Sequence, residues 1–332
     1  MTSTATRELV SVVIPTLRRP ERLRTAVASV LRQELPDGWE LGVVIAISDP
    51  SSTADVKTAR DLAGDGRVRV VQAPARGAGA ARNAGVAAAG GTALAFLDDD
   101  CEAQPGWLAA GLAALAGADL VQGRTAPAGE VPPFHHSLWV DPPSWLWESC
   151  NLFCSREAFE RTAGFNAAWN AEGRMGNQYG EDVEWGWAMV RAGARPGFAR
   201  NALVHHVVVP RSFAGYLRYV ARLRIFPRLF RTTPEVRRIF YRGYFVDRRH
   251  VALSATAGIM ATAAVTRVAG DRRLSRALLA GAAGVYLWPY RRQLLGGRLL
   301  AAYGDFKFRA PKEAVEFAAV VFGSIRWRRL LL

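Results

Sequence analysis

Two periodicities take turns along the first 125 residues. Val10–Ile14 is a β-branched run stopped by Pro15, and Leu41–Ile47, Val68–Val71 and Thr92–Leu97 are further short apolar runs. Between them lie segments with apolar residues at helical spacing. Pro20–Gln33 carries Leu23, Val27, Val30 and Leu31, with Pro20 suited to a first turn. Gly77–Gly91 is an alanine- and glycine-rich helix bounded by glycines, and Pro105–Ala116 is another helix. Strands alternating with helices predict an α/β fold with a mainly parallel sheet.

Ser48–Ser52 is a dense turn signal after the second run. Prolines and aromatics crowd residues 127–147 without a period, which predicts a long loop, and long ordered loops in compact domains tend to be functional. Order returns over Asn151–Phe165. Glu181–Arg191 places Val183, Trp187 and Val190 on one helical face, with Gly193 as a stop, and Ala202–Val209 reads as a last strand. After Pro210 the pattern changes. Phe213, Tyr216, Leu217, Val220 and Leu223 form one apolar face with Arg218 and Arg222 on another, and two uncharged stretches follow, Val251–Thr266 and Ala277–Tyr290, with a shorter, mostly apolar third at Ala314–Ile325. The expected division is an α/β domain over residues 1–209 and a helical region over residues 210–332.

Charge sharpens that division. The net charge is +14, but residues 1–199 carry −5 and residues 200–332 carry +19. A basic region of this kind meets a polyanion. No nucleic-acid module is recognisable, so nucleic acid is not an expected partner. The uncharged runs of 14 and 16 residues are shorter than a membrane-spanning helix requires, which leaves a soluble helical subdomain as one reading. The arginine flanks and the amphipathic face favour helices lying on, or re-entering, an anionic membrane surface. The cysteines, Cys101, Cys150 and Cys154, cannot all pair and lack zinc-site spacing, so reduced intracellular thiols are expected. With no basic segment and separate apolar run at the N-terminus, the expected location is the cytoplasmic side of the membrane.

The candidate chemistry lies in acids. Asp98, Asp99 and Asp100 close the fourth strand, the end of an open α/β sheet where ligands bind. If the strand continues through them, alternation sends Asp98 and Asp100 to one side and Asp99 to the other. Two carboxylates on one side suit a hard divalent cation bridging to phosphates. Asp182, in the first turn of its helix, is then the candidate base. The helix dipole is expected to keep its pKa low and the carboxylate ionised. His205 and His206 fall near the end of the last strand, facing opposite sides.

Four blocks in order carry a family resemblance: VSVVIPTLRRPERLRTAVASVLRQ (10–33), RGAGAARNAGVAAAGGTALAFLDDD (76–100), CNLFCSREAFERTAGFN (150–166) and YGEDVEWGWAMVRAGAR (179–195). Over roughly residues 9–206 the chain resembles the inverting nucleotide-sugar transferases of glycosyltransferase family 2, which have the GT-A fold. The resemblance implies transfer of one sugar from a nucleoside-diphosphate sugar to a glycan or lipid-linked acceptor, of the kind used in cell-surface polysaccharide assembly. It implies Mn²⁺ or Mg²⁺ on Asp98 and Asp100, with Asp98 also near the donor ribose. His206 is the favoured further metal ligand, with His205 in reserve. Pro15, Thr16 and Asp49 are expected at the donor, Arg82 at its diphosphate, and Asp182 as the base, with Glu181 orienting or capping. Arg18 and Arg19 read equally well as solvated. Trp139, Trp145, Trp147 and Trp169 are candidates to stack on an acceptor, although tryptophan more often packs.

Two departures matter. Ser48-Asp49-Pro50-Ser51 keeps one acid where the family often has two, and Gly323 stands where processive members place the Gln of Gln-x-x-Arg-Trp, disfavouring a polymer synthase. The alternatives are a sugar-phosphate nucleotidylyltransferase, disfavoured because Pro15–Arg19 lacks the glycines of a phosphate loop, and a non-catalytic nucleotide-sugar or membrane-binding module.

Overall fold

The computed structural model describes residues 7–49, 51–75, 77–169, 180–288, 291, 295 and 299–332. Pro50, Arg76, Tyr179, Pro289 and Tyr290, each within a segment read above, lie outside them. The chain divides into two compact units, Met1–Ser212 and Phe213–Leu332.

The first unit is built on an eight-stranded sheet. Strand β1 (Glu8–Thr16) lies between β2 (Trp39–Ile47) and β4 (Ala93–Leu97), parallel to both, and β3 (Val68–Gln72) extends this layer beyond β2. Strand β7 (Asn151–Ser155) runs antiparallel to β4 and to β6 (Leu120–Pro127). Strand β8 (Pro196–His206) pairs parallel with β6, and short β5 (Cys101–Ala103) pairs antiparallel with β8. The order is β3-β2-β1-β4-β7-β6-β8-β5. β4 and β5 are separated by only three residues yet lie far apart in that order, so the sheet curls and brings the end of β8 back to the end of β4.

Helices α1 (Pro20–Leu31), α2 (Thr53–Leu62), α3 (Ala78–Ala88), α4 (Trp107–Leu115), α5 (Arg156–Glu160) and α6 (Glu181–Arg191) accompany the sheet. α1 buries Leu23, Ala26, Val27 and Val30, the i, i+3, i+4, i+7 stripe of a one-sided helix. Burying each of its larger side chains is worth about 1.5–3 kcal/mol. α3 lies so close to β1 that a Cβ on Gly85 would sit 2.4 Å from Val13 Cγ1, which is why this helix is made of small residues.

Two expectations are corrected here. The last strand runs Pro196–His206 rather than Ala202–Val209, because Arg195 begins its pairing by accepting from Asp119 and Leu120. The three aspartates do not continue β4. Cys101 N donates to Asp98 O at 3.1 Å, closing a turn, so strand alternation does not govern where their side chains point.

The second unit is helical: α7 (Phe213–Val220), α8 (Phe226–Thr232), α9 (Arg248–Val268), α10 (Arg272–Leu287) and α11 (Leu299–Trp327). α9 outruns the uncharged stretch that suggested it, taking in arginines at both ends. Among the described residues it alone is long and apolar enough to cross a membrane, with 21 residues and a mean hydropathy of 1.4 over its apolar window. It packs on α10 through small residues, with Ser275 Oγ donating to Ala263 O at 2.8 Å, and leaves Met260, Val265 and Val268 exposed.

Candidate active site

The turn after β4 distributes its three acids among different partners. Asp99 is the most firmly held: Thr16 Oγ1 donates to its Oδ2 at 2.8 Å and Leu17 N at 3.4 Å, while Arg19 Nη1 meets Oδ1 at 2.9 Å. Burial pushes the Asp99 carboxyl up to about 6, against the pull of Arg19. The same Arg19 nitrogen lies 2.5 Å from Asp100 Oδ2, and Arg22 Nη1 is 3.9 Å from that oxygen. Asp98 turns away to Arg82 Nη2 at 2.6 Å. Asp99 and Asp100 thus share one arginine, whereas alternation had grouped Asp98 with Asp100.

The β1–α1 loop reaches this turn because a buried acid holds its backbone. Asp55 accepts from Arg18 N and from Arg19 N, the latter at 3.0 Å. Arg18 sits at φ 56°, a left-handed conformation that non-glycine residues adopt only with such support. Its side chain meets Asp49 Oδ2 at 3.0 Å, and Ser51 Oγ donates to Asp49 Oδ1 at 2.6 Å. Pro15, Thr16 and Asp49 therefore gather at the C-terminal ends of β1 and β2, all buried.

β8 delivers His206 to the same place. Cys101 is paired with His206 and Glu102 with His205, so His206 lies beside the turn. Its Nε2 is 3.7 Å from Asp100 Oδ1, and both residues are buried. His206 Nδ1 lies 2.7 Å from Val207 O, which can only accept, so Nδ1 carries a proton and Nε2 is the ring nitrogen turned to Asp100. Ser137 Oγ, donating to His206 O at 3.0 Å, helps fix the residue.

A divalent cation fits between Asp100 and His206. A carboxylate oxygen and an imidazole lone pair facing each other across 3.7 Å can both reach one ion at ~2.1 Å, and the Nδ1 bond is the outer support such a ligand requires. Asp98 does not join them in this arrangement. Among the described residues no three His, Cys, Asp or Glu side chains cluster closely enough to hold a metal by themselves.

Arg82, on α3, connects this turn to α6. It is 3% exposed, and its Nη1 meets Glu181 Oε1 at 3.2 Å while its Nη2 holds Asp98. Burial opposes its charge, but Asp98 and Glu181 outweigh that and raise its pKa. The neighbouring residues of α3 also have visible work. Asn83 exchanges hydrogen bonds with the backbone of Phe165, donating to O at 2.7 Å and accepting from N at 2.9 Å.

The α6 pair corrects the dipole expectation. Burial, then the adjacent Asp182, pushes Glu181 up to about 8, against Arg82. Burial also raises Asp182, with Arg82 and the Val183 and Ser149 N–H groups opposing. Desolvation outweighs the helix dipole here because the pair is enclosed and its carboxylates repel each other. Glu181 is the member of the pair that keeps its proton at neutral pH. Asp182 Oδ1 accepts from Val183 N at 2.9 Å, and among the described residues Oδ2 accepts long contacts of 3.5 Å from Ser149 N and Oγ.

The loop before β7 lies against α6. Trp147 packs where a Cβ on Gly186, one turn beyond Asp182, would be 2.2 Å from its Cγ. Trp145 stacks on Trp187 at 6.1 Å and 26°. Trp145 and Trp147 hold φ of 61° and 55°, a strained backbone for bulky side chains. Trp147 and Trp169 are buried in packing, while Trp139 and Trp145 are exposed. Sequence reasoning left Arg19 open and missed Asp55, Ser137 and Ser149; the partners of all four lie far away in sequence. Only the paired arginines after Pro-Thr-Leu offered a signal.

Residues 11–167 match the family model described as glycosyl transferase family 2. Glycosyltransferase AglE of Haloferax volcanii is 30% identical over 123 residues, 36% of this chain and 40% of that protein. The pre-mycofactocin glycosyltransferase of Mycobacterium tuberculosis is 28% identical over 217 residues, 59% of this chain and 42% of that protein. The chain thus spans about two fifths of the length of these curated relatives. The mannosyltransferase PcManGT of Pyrobaculum calidifontis, solved with GDP-Man and Mn²⁺, superposes with a TM-score of 0.59 at 20% identity over 97% of this chain and 88% of that one. That likeness shows the fold, which is GT-A.

Proposed function

We propose that this chain, whose residues 11–167 match glycosyl transferase family 2, is a glycosyltransferase that moves one sugar from a nucleoside-diphosphate donor to a hydroxyl of a glycan or lipid-linked acceptor, with inversion at the anomeric carbon. One observation carries this reading. Arg82 is bonded at once to Asp98 and to Glu181, the neighbour of Asp182, so the donor-side acids and the candidate base face each other across a single guanidinium. This arrangement supports a single displacement, which needs leaving group and attacking hydroxyl on opposite sides of the sugar. The GDP-Man and Mn²⁺ held by PcManGT support a nucleoside-diphosphate sugar and a divalent cation here.

In this reading Pro15, Thr16 and Asp49 line the donor's nucleoside, on the loop that Asp55 pins. Asp100 and His206 hold Mn²⁺ or Mg²⁺, with Asp98 joining if Arg82 releases it. The chemistry such an ion supplies is stabilisation of negative charge on the departing diphosphate. Asp182 accepts the proton of the acceptor hydroxyl as its oxygen bonds to the anomeric carbon, and the electron pair of the breaking C–O bond leaves with the diphosphate. Protonated Glu181 keeps the anionic charge on Asp182, and Ser149 steadies Asp182 Oδ2. Exposed Trp145, backed by Trp187, offers the acceptor a ring to stack on.

The second unit is assigned to an anionic membrane surface on the cytoplasmic side. Exposed Val265, Val268, Leu274 and Leu279 are interspersed with Arg267, Arg272, Arg273 and Arg276, the mixture that lies in a headgroup layer. Full-length protein should sediment with anionic vesicles and not with zwitterionic ones. For the reaction, thermal-shift screening of nucleoside-diphosphate sugars with and without Mn²⁺ is the test. A stabilising nucleotide that needs the metal identifies the donor, and NMR of the product then reads the anomeric configuration. Retained configuration would overturn the mechanism, and no response to any nucleotide would overturn the donor assignment.

A further inference from the structure

We infer that Arg19 is an internal counter-cation of the acid turn, bonded to Asp100 and passing its charge to the donor diphosphate when a divalent cation takes Asp100 over. This rests on the metal and donor reading above and deepens it.

Three features place the residue in this role. First, Arg19 occupies the relevant oxygen. Its Nη1 lies 2.5 Å from Asp100 Oδ2, on the same carboxylate whose Oδ1 faces His206 Nε2 at 3.7 Å. A cation bound to Asp100 and His206 and a guanidinium bonded to Asp100 compete for one carboxylate's charge.

Second, Arg19 is anchored at its backbone and half-exposed along its side chain. Asp55 accepts from its N–H at 3.0 Å, and Pro20 fixes the start of α1 directly after it, whereas its side chain is 45% exposed. The arm can swing without disturbing the loop. Third, Asp99 does not depend on it. Thr16 Oγ1 and Leu17 N hold Asp99 Oδ2 at 2.8 and 3.4 Å, so loss of the Arg19 contact leaves the turn in place. Arg22, 3.9 Å from Asp100 Oδ2 and one turn along α1, stands beside the released guanidinium as a second positive group for phosphate oxygens.

The consequence is a sign pattern that a purely structural arginine does not produce. Displacing Arg19 opposes cation binding when the cation arrives alone. When a nucleoside diphosphate is present, the released guanidinium gains an anionic partner, so cation and diphosphate bind with positive coupling. Mn²⁺ affinity is read by electron paramagnetic resonance of the free ion, with and without GDP and UDP, for wild type, Arg19→Gln and Arg19→Lys. Arg19→Gln should bind Mn²⁺ alone about 5–10-fold more tightly, bind the responsive diphosphate about 10-fold more weakly, and lose most of the coupling between them. Arg19→Lys, keeping the charge without the fork, should fall between.

If Arg19→Gln binds Mn²⁺ alone no more tightly than wild type, or weakens both ligands equally with a lowered melting temperature, Arg19 only supports the loop and the inference is wrong. Failure of the underlying reading looks different: wild type would then show no Mn²⁺-dependent binding of any nucleoside diphosphate.

Discussion

Replacing Arg82 with methionine removes its charge while keeping most of the side chain's length. The guanidinium is enclosed and bonded to Asp98 at 2.6 Å and Glu181 at 3.2 Å. Its loss leaves both carboxylates without their counter-charge in a pocket that also holds Asp182. Breaking a buried pair from one side costs about 3–5 kcal/mol. In a unit of this size each kcal/mol lowers the melting temperature by about 2–4 °C, so Arg82→Met should melt roughly 6–20 °C below wild type.

The pH dependence is the sharper test. Glu181 already titrates at about 8, above its unfolded value of 4.5, and Arg82 is what holds it from rising further. Between the unfolded and folded values the folded state binds more protons than the unfolded one, so stability falls as pH rises. The penalty is absent below the unfolded value and complete above the folded one. On this account the pH dependences of wild type and Arg82→Met part only above the wild-type value of about 8, where wild-type Glu181 ionises and the variant's does not, so calorimetry at pH 6 and pH 10 should show a larger deficit at the higher pH. A loss under about 2 °C, or an equal loss at both pH values, would refute the assignment of Arg82 as the shared counter-charge.

Glu181→Gln keeps the shape and removes the raised acid, so it should flatten the fall in wild-type stability between about pH 4.5 and 8, measured by the same calorimetry. Asp182→Asn should lower kcat by about 10²–10⁴-fold while leaving donor affinity within about twofold, read by single-turnover kinetics and titration calorimetry. Gly186→Ala would drive a methyl into Trp147, costing about 1–3 kcal/mol, with a change in tryptophan fluorescence as the indole shifts. His206→Ala should abolish the Mn²⁺ dependence of nucleotide binding, whereas His205→Ala should leave it intact, as titrations with and without the metal will report.

What was legible in the sequence and what was not divides along physical lines. Buried β-branched runs and the stripe Leu23, Val27, Val30 are local signals, and they mark β1, β2, β4 and α1 within a few residues. The α/β class follows from their alternation. Strands β5 and β6 carried no comparable period, being short or mixed in character, and the antiparallel placement of β7 has no signature in a buried strand. The acids were legible as residue types, but their directions were not. Alternation assumes a continuing strand, and the turn closed by Cys101 N on Asp98 O ended it. Arg19 stayed undecided and Asp55 escaped notice because an arginine on a loop and an aspartate on a helix look solvated until the fold brings them together. The raised pKa of Asp182 was missed for a related reason: the helix dipole is visible in sequence, and burial is not.

The arginines explain why so acidic a site holds together before any ligand arrives. Arg19 takes Asp99 and Asp100, Arg18 takes Asp49, and Arg82 takes Asp98 and Glu181. These pairs differ in kind. Arg18 and Arg19 reach their acids from half-exposed positions, where water makes an ion pair cheap to break. Arg82 does so from the interior, joining α3, the end of β4 and the start of α6. Its Nε and Glu181 Oε2 have no hydrogen-bond partner among the described residues. A buried network left incomplete is a poor source of stability, since apolar packing of equal volume would serve as well. What it supplies is register: Arg82 ties Glu181 to the acid turn through one hydrogen bond, and Asp182, its neighbour, is carried along to the donor side. The stability sacrificed there is the cost of holding a base and the donor's acids within one guanidinium of each other.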